Sequence, residues 1–225
     1  MSGRLDDMFE DAGRPEADPR LLERIAAKLA ADARPVRPVA SGWMRAAGLV
    51  AIAAAVAAAG AVLLGLRGLH RLGAGQAALI LGLLLVLVAL AGSVAAAQMV
   101  PGARRPVSAW VLMASSAGVL AVLFGLLLHD YSTVRFIPQG LACLTAGLLN
   151  ALPAAALAWL VLRRGFVLDT VAAGAAAGLL AGLAGVVMLE LHCPILQAPH
   201  VMVWHVAVIP AATLLGSVAG RLVRG

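Results

Sequence analysis

Residues 170–191 read TVAAGAAAGLLAGLAGVVMLEL. The run holds one charged residue, Glu190, near its end. As an α-helix it would be about 33 Å long at 1.5 Å per residue, enough to cross a hydrocarbon core of about 30 Å. Lipid offers no water to backbone N–H and C=O groups, so a single apolar run of this length must bond internally as a helix. Gly174, Gly178 and Gly182 recur every four residues, with Gly185 close by. Small residues at that spacing let two membrane helices approach closely, and packing is the ordinary reason for such a stripe.

Five more apolar runs extend the pattern, giving Met44–Leu66, Gln76–Gln98, Ser108–Leu128, Leu141–Leu162, Thr170–Leu191 and Val201–Val218 as the expected spans. Gly216 and Gly220 repeat the four-residue spacing in the last. Trp204 and His205 interrupt its start, and Pro210 is placed to kink it. Asn150 and Pro153 mark a bend or a polar contact in the fourth. The chain is 62% hydrophobic and 12% charged, with a mean hydropathy of +0.97. A soluble domain carries about twice that charge fraction. The fold class is therefore all-α: an integral membrane six-helix bundle in contact with the lipid bilayer. The net charge of +6 belongs to the flanks of the spans and is no sign of direct nucleic-acid binding.

Residues 1–42 form a second region. Met1–Asp18 is acidic, and its Leu5, Met8 and Phe9 fit either a short amphipathic turn or a solvated tail. No secretory signal is visible, since the first apolar run begins only near Met44. Asp18 suits a helix cap and Pro19 a first helical position. Leu22, Ile25 and Leu29 then share one face, with Leu21 and Ala26 beside them and Arg20, Glu23, Arg24 and Lys28 around the rest. Such a helix either lies on lipid headgroups or offers its apolar face to a partner's groove. Arg34-Pro35-Val36-Arg37-Pro38 ends it as a stiff basic linker. The division is thus a segment 1–42 in water and a membrane domain 43–225.

Basic residues orient the spans. Fourteen fall on one side: the N-terminal eight, Arg104 and Arg105, Arg163 and Arg164, and Arg221 and Arg224. Arg67, Arg71 and Arg135 fall on the other. The excess of Lys and Arg on cytoplasmic loops places both termini in the cytoplasm. All five histidines (His70, His129, His192, His200 and His205) and both cysteines, Cys143 and Cys193, then belong to the outer side. Each alone has a plain explanation: an interfacial histidine reaching water, or a cysteine filling a gap. Their joint placement is more telling. Cys143 and Cys193 with His192, and more weakly His200, His205 and Glu190, make a set of soft and borderline ligands. The usual zinc-finger spacings are absent. Two thiols facing an oxidising compartment also suit a disulfide, provided that the helix ends meet. No mid-membrane carboxylate, phosphate loop, Ser-His-Asp set or HExxH is present, so no enzyme activity is expected.

The chain resembles the NrsF-type bacterial anti-sigma factors in the helix Leu21–Ala31, the run Ala31–Pro38, Cys143 after Pro138-Gln139-Gly140, Leu162-Arg163-Arg164-Gly165, the glycine-rich fifth span, His192-Cys193-Pro194 and Trp204-His205. The resemblance implies a six-helix protein of the bacterial inner membrane that holds an extracytoplasmic-function sigma factor through its cytoplasmic N-terminal region. There Leu21, Leu22, Ile25 and Leu29 are the candidate contacts. It implies that Cys143 and Cys193 are periplasmic-side cysteines needed for sensing heavy metals; as a thiol pair they also suit an oxidant. The cofactor expectation is no constitutive group and a regulatory divalent or soft metal ion. The alternatives are a small transporter, which predicts polar mid-membrane residues and an internal repeat that are not evident, and a structural membrane protein with inert thiols.

Overall fold

A computed structural model describes residues 18–32, 41–103 and 107–223. The acidic tail, the Arg34–Pro38 linker and the basic residues Arg104, Arg105 and Arg224 lie outside the described residues. The described residues form helices joined by loops, with no strand among them, and divide into an N-terminal unit and a membrane domain from Ala40 onward.

In the N-terminal unit, α1 spans Pro19–Asp32. Asp18 caps it: its side-chain Oδ1 accepts from Arg20 N at 3.0 Å, and its backbone carbonyl accepts from Leu21 and Leu22. Pro19 occupies the first turn, where its missing N–H costs nothing. A single 14-residue helix cannot bury its own leucine stripe.

The membrane domain has six helical segments long and apolar enough to cross a bilayer: α2 (Gly42–Leu64), α3 (Ala74–Ala97), α4 (Ala109–Leu127), α5 (Phe136–Leu162), α6 (Thr170–His192), and a last segment Ala198–Leu222. The last is composite. It begins as α7 (Ala198–His200), passes through a π-helical turn (Val201–His205) and continues as α8 (Val206–Leu222). Four spans start earlier than the apolar runs indicate, α2 and α3 by two residues, α5 by five and the last by three. Pro138 lies in the first turn of α5 and Pro199 in that of α7. These are the positions where a helix tolerates proline, because first-turn N–H groups have no helical acceptor. Trp204 and His205 do not break the last span; His205 is buried inside it.

α6 is the central helix. Nearly every side chain from Ala173 to Glu190 is buried, and α2, α3, α4, α5 and α8 all pack against it. Its composition permits this, since a helix enclosed on all sides has room for little beyond Gly, Ala and Leu. The closest partner is α8. A Cβ on Gly178 would overlap the Ala212 carbonyl, and one on Gly174 the Gly216 carbonyl. The relation is mutual, because a Cβ on Gly216 would overlap the Gly174 carbonyl and one on Gly220 that of Thr170. The two glycine stripes seen in the sequence thus face each other, backbone to backbone. Asn150 of α5 fills a polar niche beside Gly60 and bonds the Ala184 carbonyl of α6 at 3.5 Å.

Gly178→Leu should therefore destabilise the bundle by about 1–3 kcal/mol or more, the usual cost of overpacking. Gly82→Leu, on an exposed face with nothing within 4 Å of its Cβ, should stay within about 0.5 kcal/mol of the parent. Denaturation of the purified protein in detergent measures both, and equal losses would mean that the α6–α8 contact is not close.

Candidate functional site

The ligand-grade side chains gather where α5, the end of α6 and the start of the last span meet. Cys143 sits two turns into α5 and is partly buried. Cys193 caps α6, donating its backbone N–H to Leu189 O at 2.7 Å, and is 3% exposed. Their sulfurs lie 3.5 Å apart and both are free thiols. His200 Nε2 is 3.8 Å from Cys193 Sγ. Cys143, Cys193, His200 and His205 each offer a donor atom, and all four atoms lie within 4.8 Å of one another. His205 and Glu190 are both buried, and His205 Nδ1 meets Glu190 Oε1 at 2.6 Å. With Nδ1–H donating to that carboxylate, the free lone pair of the ring is on Nε2, which has no partner among the described residues.

The π-helical turn makes this grouping possible. His200 and His205 are five residues apart. In an α-helix of 3.6 residues per turn, that spacing would rotate the second side chain about 140° from the first. Here Val206 N–H bonds the Val201 carbonyl, five residues back. The wider turn brings residues five apart nearly over one another. The two imidazoles accordingly stand edge to face, with centroids 5.3 Å apart. Trp204, next in the chain, lies across Gly140, where any Cβ would overlap its indole ring. That contact brings α5, and Cys143 one turn further on, against the π-helical turn.

Loops hold the end of α6 from outside. Gly68 N–H bonds the His192 carbonyl and Leu69 N–H the Leu191 carbonyl, each at 3.1 Å. A Cβ on Gly68 would come within 2.6 Å of the Glu190 carbonyl and 2.7 Å of that of Cys193, so only glycine allows this approach. On the opposite side Ala198 N–H bonds Asp130 O at 2.7 Å, and Gln197 Nε2 bonds Ser132 Oγ at 2.8 Å. Hydrogen bonds from Ser132 hold the exposed Asp130 carboxyl below its ordinary range. An open cavity of about 400 Å³, lined by Arg71, Asp130, Gln139 and Pro194 among others, lies beside the Cys193–Gln197 loop.

The candidates named from sequence separate here. Cys143 and Cys193 come together, joined by His200 and His205. His192, chosen from sequence as the nearest imidazole to Cys193, goes elsewhere: its Nδ1 is 2.9 Å from the Gly65 carbonyl, and it ties the loop between α2 and α3 to α6. Glu190 orients His205 and stands outside the set of four. His70 and His129 are exposed and take no part in it. Adjacency in sequence favoured His192 over two histidines whose pairing depends on a π-helical turn. Two thiols with two imidazoles suit a tetrahedral borderline or soft metal ion, and two thiols this close also suit oxidation to a disulfide.

Leu21, Leu22, Ile25 and Leu29 lie on α1, in the other unit. A family model described as negative regulator of sigma F matches residues 29–224, beginning within the last turns of α1. Comparison with curated proteins and with solved structures gives no match. The match takes in all six membrane-crossing segments, both cysteines and both paired histidines. The chain belongs to the NrsF family, the negative regulators of sigma F, and is a multi-pass membrane protein whose partner is a sigma factor.

Proposed function

We propose that this protein is a transmembrane anti-sigma factor of the bacterial inner membrane. It holds a sigma factor of the extracytoplasmic-function class at the cytoplasmic face, away from RNA polymerase. It releases that factor when a heavy metal or an oxidant engages Cys143 and Cys193 from outside. The observation that carries the sensing part is the 3.5 Å separation of two sulfurs held by different spans. Bridging them, by a metal ion or by oxidation, ties α5 to the end of α6. Because α6 packs backbone to backbone against α8, a shift at its outer end is not absorbed locally. An effector moves an equilibrium only by its difference in affinity for the two states. Reversing a population from 1:99 to 99:1 takes about 5.5 kcal/mol. Structural zinc sites in small peptides contribute about 10–16 kcal/mol, so differential metal binding is ample in magnitude.

The orientation rests on the distribution of basic residues and expects both termini in the cytoplasm. Reporter fusions at Gly102 and Ala198 should lie on opposite sides, with Ala198 outside; matching signals from the two would reverse or abolish this topology.

The sigma factor is expected on residues 1–42, the one sizeable segment in water, with the α1 stripe as its docking face. Leu22→Asp with Ile25→Asp should weaken co-purification of the sigma factor by roughly 1–3 kcal/mol per buried, unpaired polar group. Unchanged recovery with the double variant would move the contact to the acidic tail.

Cys143→Ser and Cys193→Ser should each abolish induction of sigma-dependent transcription by cadmium while leaving the sigma factor membrane-bound in its absence. The two single variants should behave alike, since half a bridge binds poorly. A normal cadmium response in either variant would refute the sensing role of the pair.

A further inference from the structure

We propose that Cys143, Cys193, His200 and His205 form one four-coordinate site for a single divalent ion of the zinc–cadmium type, with Glu190 as the residue that positions His205. The inference deepens the sensing reading above and rests on it for what binding accomplishes. It narrows the effector from metal or oxidant to a metal ion of stated geometry, and it adds three residues to the cysteine pair.

The distances carry the argument. A tetrahedral ion with metal–sulfur bonds of about 2.3 Å places its two sulfurs roughly 3.8 Å apart. The sulfurs of Cys143 and Cys193 are 3.5 Å apart, and His200 Nε2 is 3.8 Å from Cys193 Sγ. Every pair among the four donors is within 4.8 Å. Binding therefore needs shifts of only some tenths of an ångström to about one ångström. A disulfide would use the two sulfurs and leave both imidazoles without a task. Yet His200 is 0% exposed and His205 1%, and burying an unsatisfied polar ring nitrogen is costly.

His205 carries the second line of evidence. A metal-binding histidine commonly donates its other ring N–H to a carboxylate, which sets the tautomer and the ring angle. Glu190 does this at 2.6 Å to Nδ1. The remaining nitrogen, Nε2, is buried and has no partner among the described residues. The donor set also selects the ion. Two sulfurs and two imidazole nitrogens in a tetrahedron suit zinc, cadmium or cobalt, whereas magnesium and calcium require oxygen. On binding, each thiol gives its proton to solvent and both imidazoles stay neutral. The two thiolate charges cancel that of the ion, so the loaded core is uncharged at the edge of the apolar bundle. The donors come from α5, the loop after α6 and the start of the last span, where α7 gives His200 and the π-helical turn His205, so one ion joins three segments that sequence separates.

The test uses the full-length chain in detergent, stripped with chelator under reductant and titrated with Co2+ and Cd2+. One ion per chain is expected, with the strong visible bands of tetrahedral Co2+ and a thiolate charge-transfer band. X-ray absorption on the Cd2+-loaded unaltered protein should show two sulfur and two nitrogen neighbours, a result that does not depend on any variant folding. His200→Ala and His205→Ala should each weaken Co2+ binding at least tenfold, and Glu190→Gln by about 10–100-fold. His192→Ala should bind as the parent does. Absence of Co2+ and Cd2+ binding, or a sulfur-only coordination shell, would overturn the site. So would parental affinity in both His205→Ala and Glu190→Gln. The sensing reading is scored separately on the complex with the sigma factor. Loading with two sulfurs and two nitrogens while the sigma factor stays bound would support the site and refute that reading. Sigma release by an oxidant, with no ion bound at these donors, would support the reading and refute the site.

Discussion

The backbone contact between α6 and α8 determines where everything else can be. Gly174 and Gly178 on one helix meet Ala212, Gly216 and Gly220 on the other, with carbonyls where larger residues would have side chains. In a bilayer, helices gain little by leaving lipid for one another, so close packing and polar contacts must supply the attraction. The contact fixes α6 relative to the last span, and where the end of α6 meets the start of that span they carry Cys193 on one side and His200 and His205 on the other. α5 completes the arrangement through Gly147, whose carbonyl lies where a Cβ on Gly185 would be, and through Gly140 beneath Trp204. Cys143 lies between those two glycines.

Polarity is concentrated where packing leaves least freedom. Glu190 and His205 are both nearly inaccessible and pair with each other. Losing either partner would leave the other buried and uncompensated, which is far more costly than losing a surface pair. Such a pair is poor evidence for stability but a good device for orienting a ring. It sits near an end of the bundle rather than at mid-span, which does not accord with a relay through the membrane. The π-helical turn serves the same end, since it departs from the regular helix where two imidazoles must face one way.

The two units meet different physical demands. The membrane domain satisfies its backbone internally and buries its small residues against one another. α1 has a capped start and an apolar stripe that no single helix can bury, the usual property of a segment that acts through a partner or a surface. The match to negative regulators of sigma F assigns the chain a partner in the transcription machinery.

By itself the sequence determined the class, the number of spans and the two glycine stripes, while the structure showed that the stripes face each other. Long apolar runs have one solution in lipid, and a four-residue glycine repeat has one obvious use. It also placed both cysteines at one end of the bundle, because successive spans alternate in direction, and the sulfurs do meet there. The earlier starts of α5 and of the last span were not legible, since a proline reads as a boundary until the first turn is known to hold it. The choice among histidines belonged to the tertiary structure alone. His192 is next to Cys193 in sequence but is drawn to the Gly65 carbonyl, while His200 and His205 reach the sulfurs. A five-residue spacing points two ways in an α-helix and one way in a π-helical turn. The π-helical turn forms where Trp204 packs against Gly140 of α5, a contact that only the tertiary structure shows.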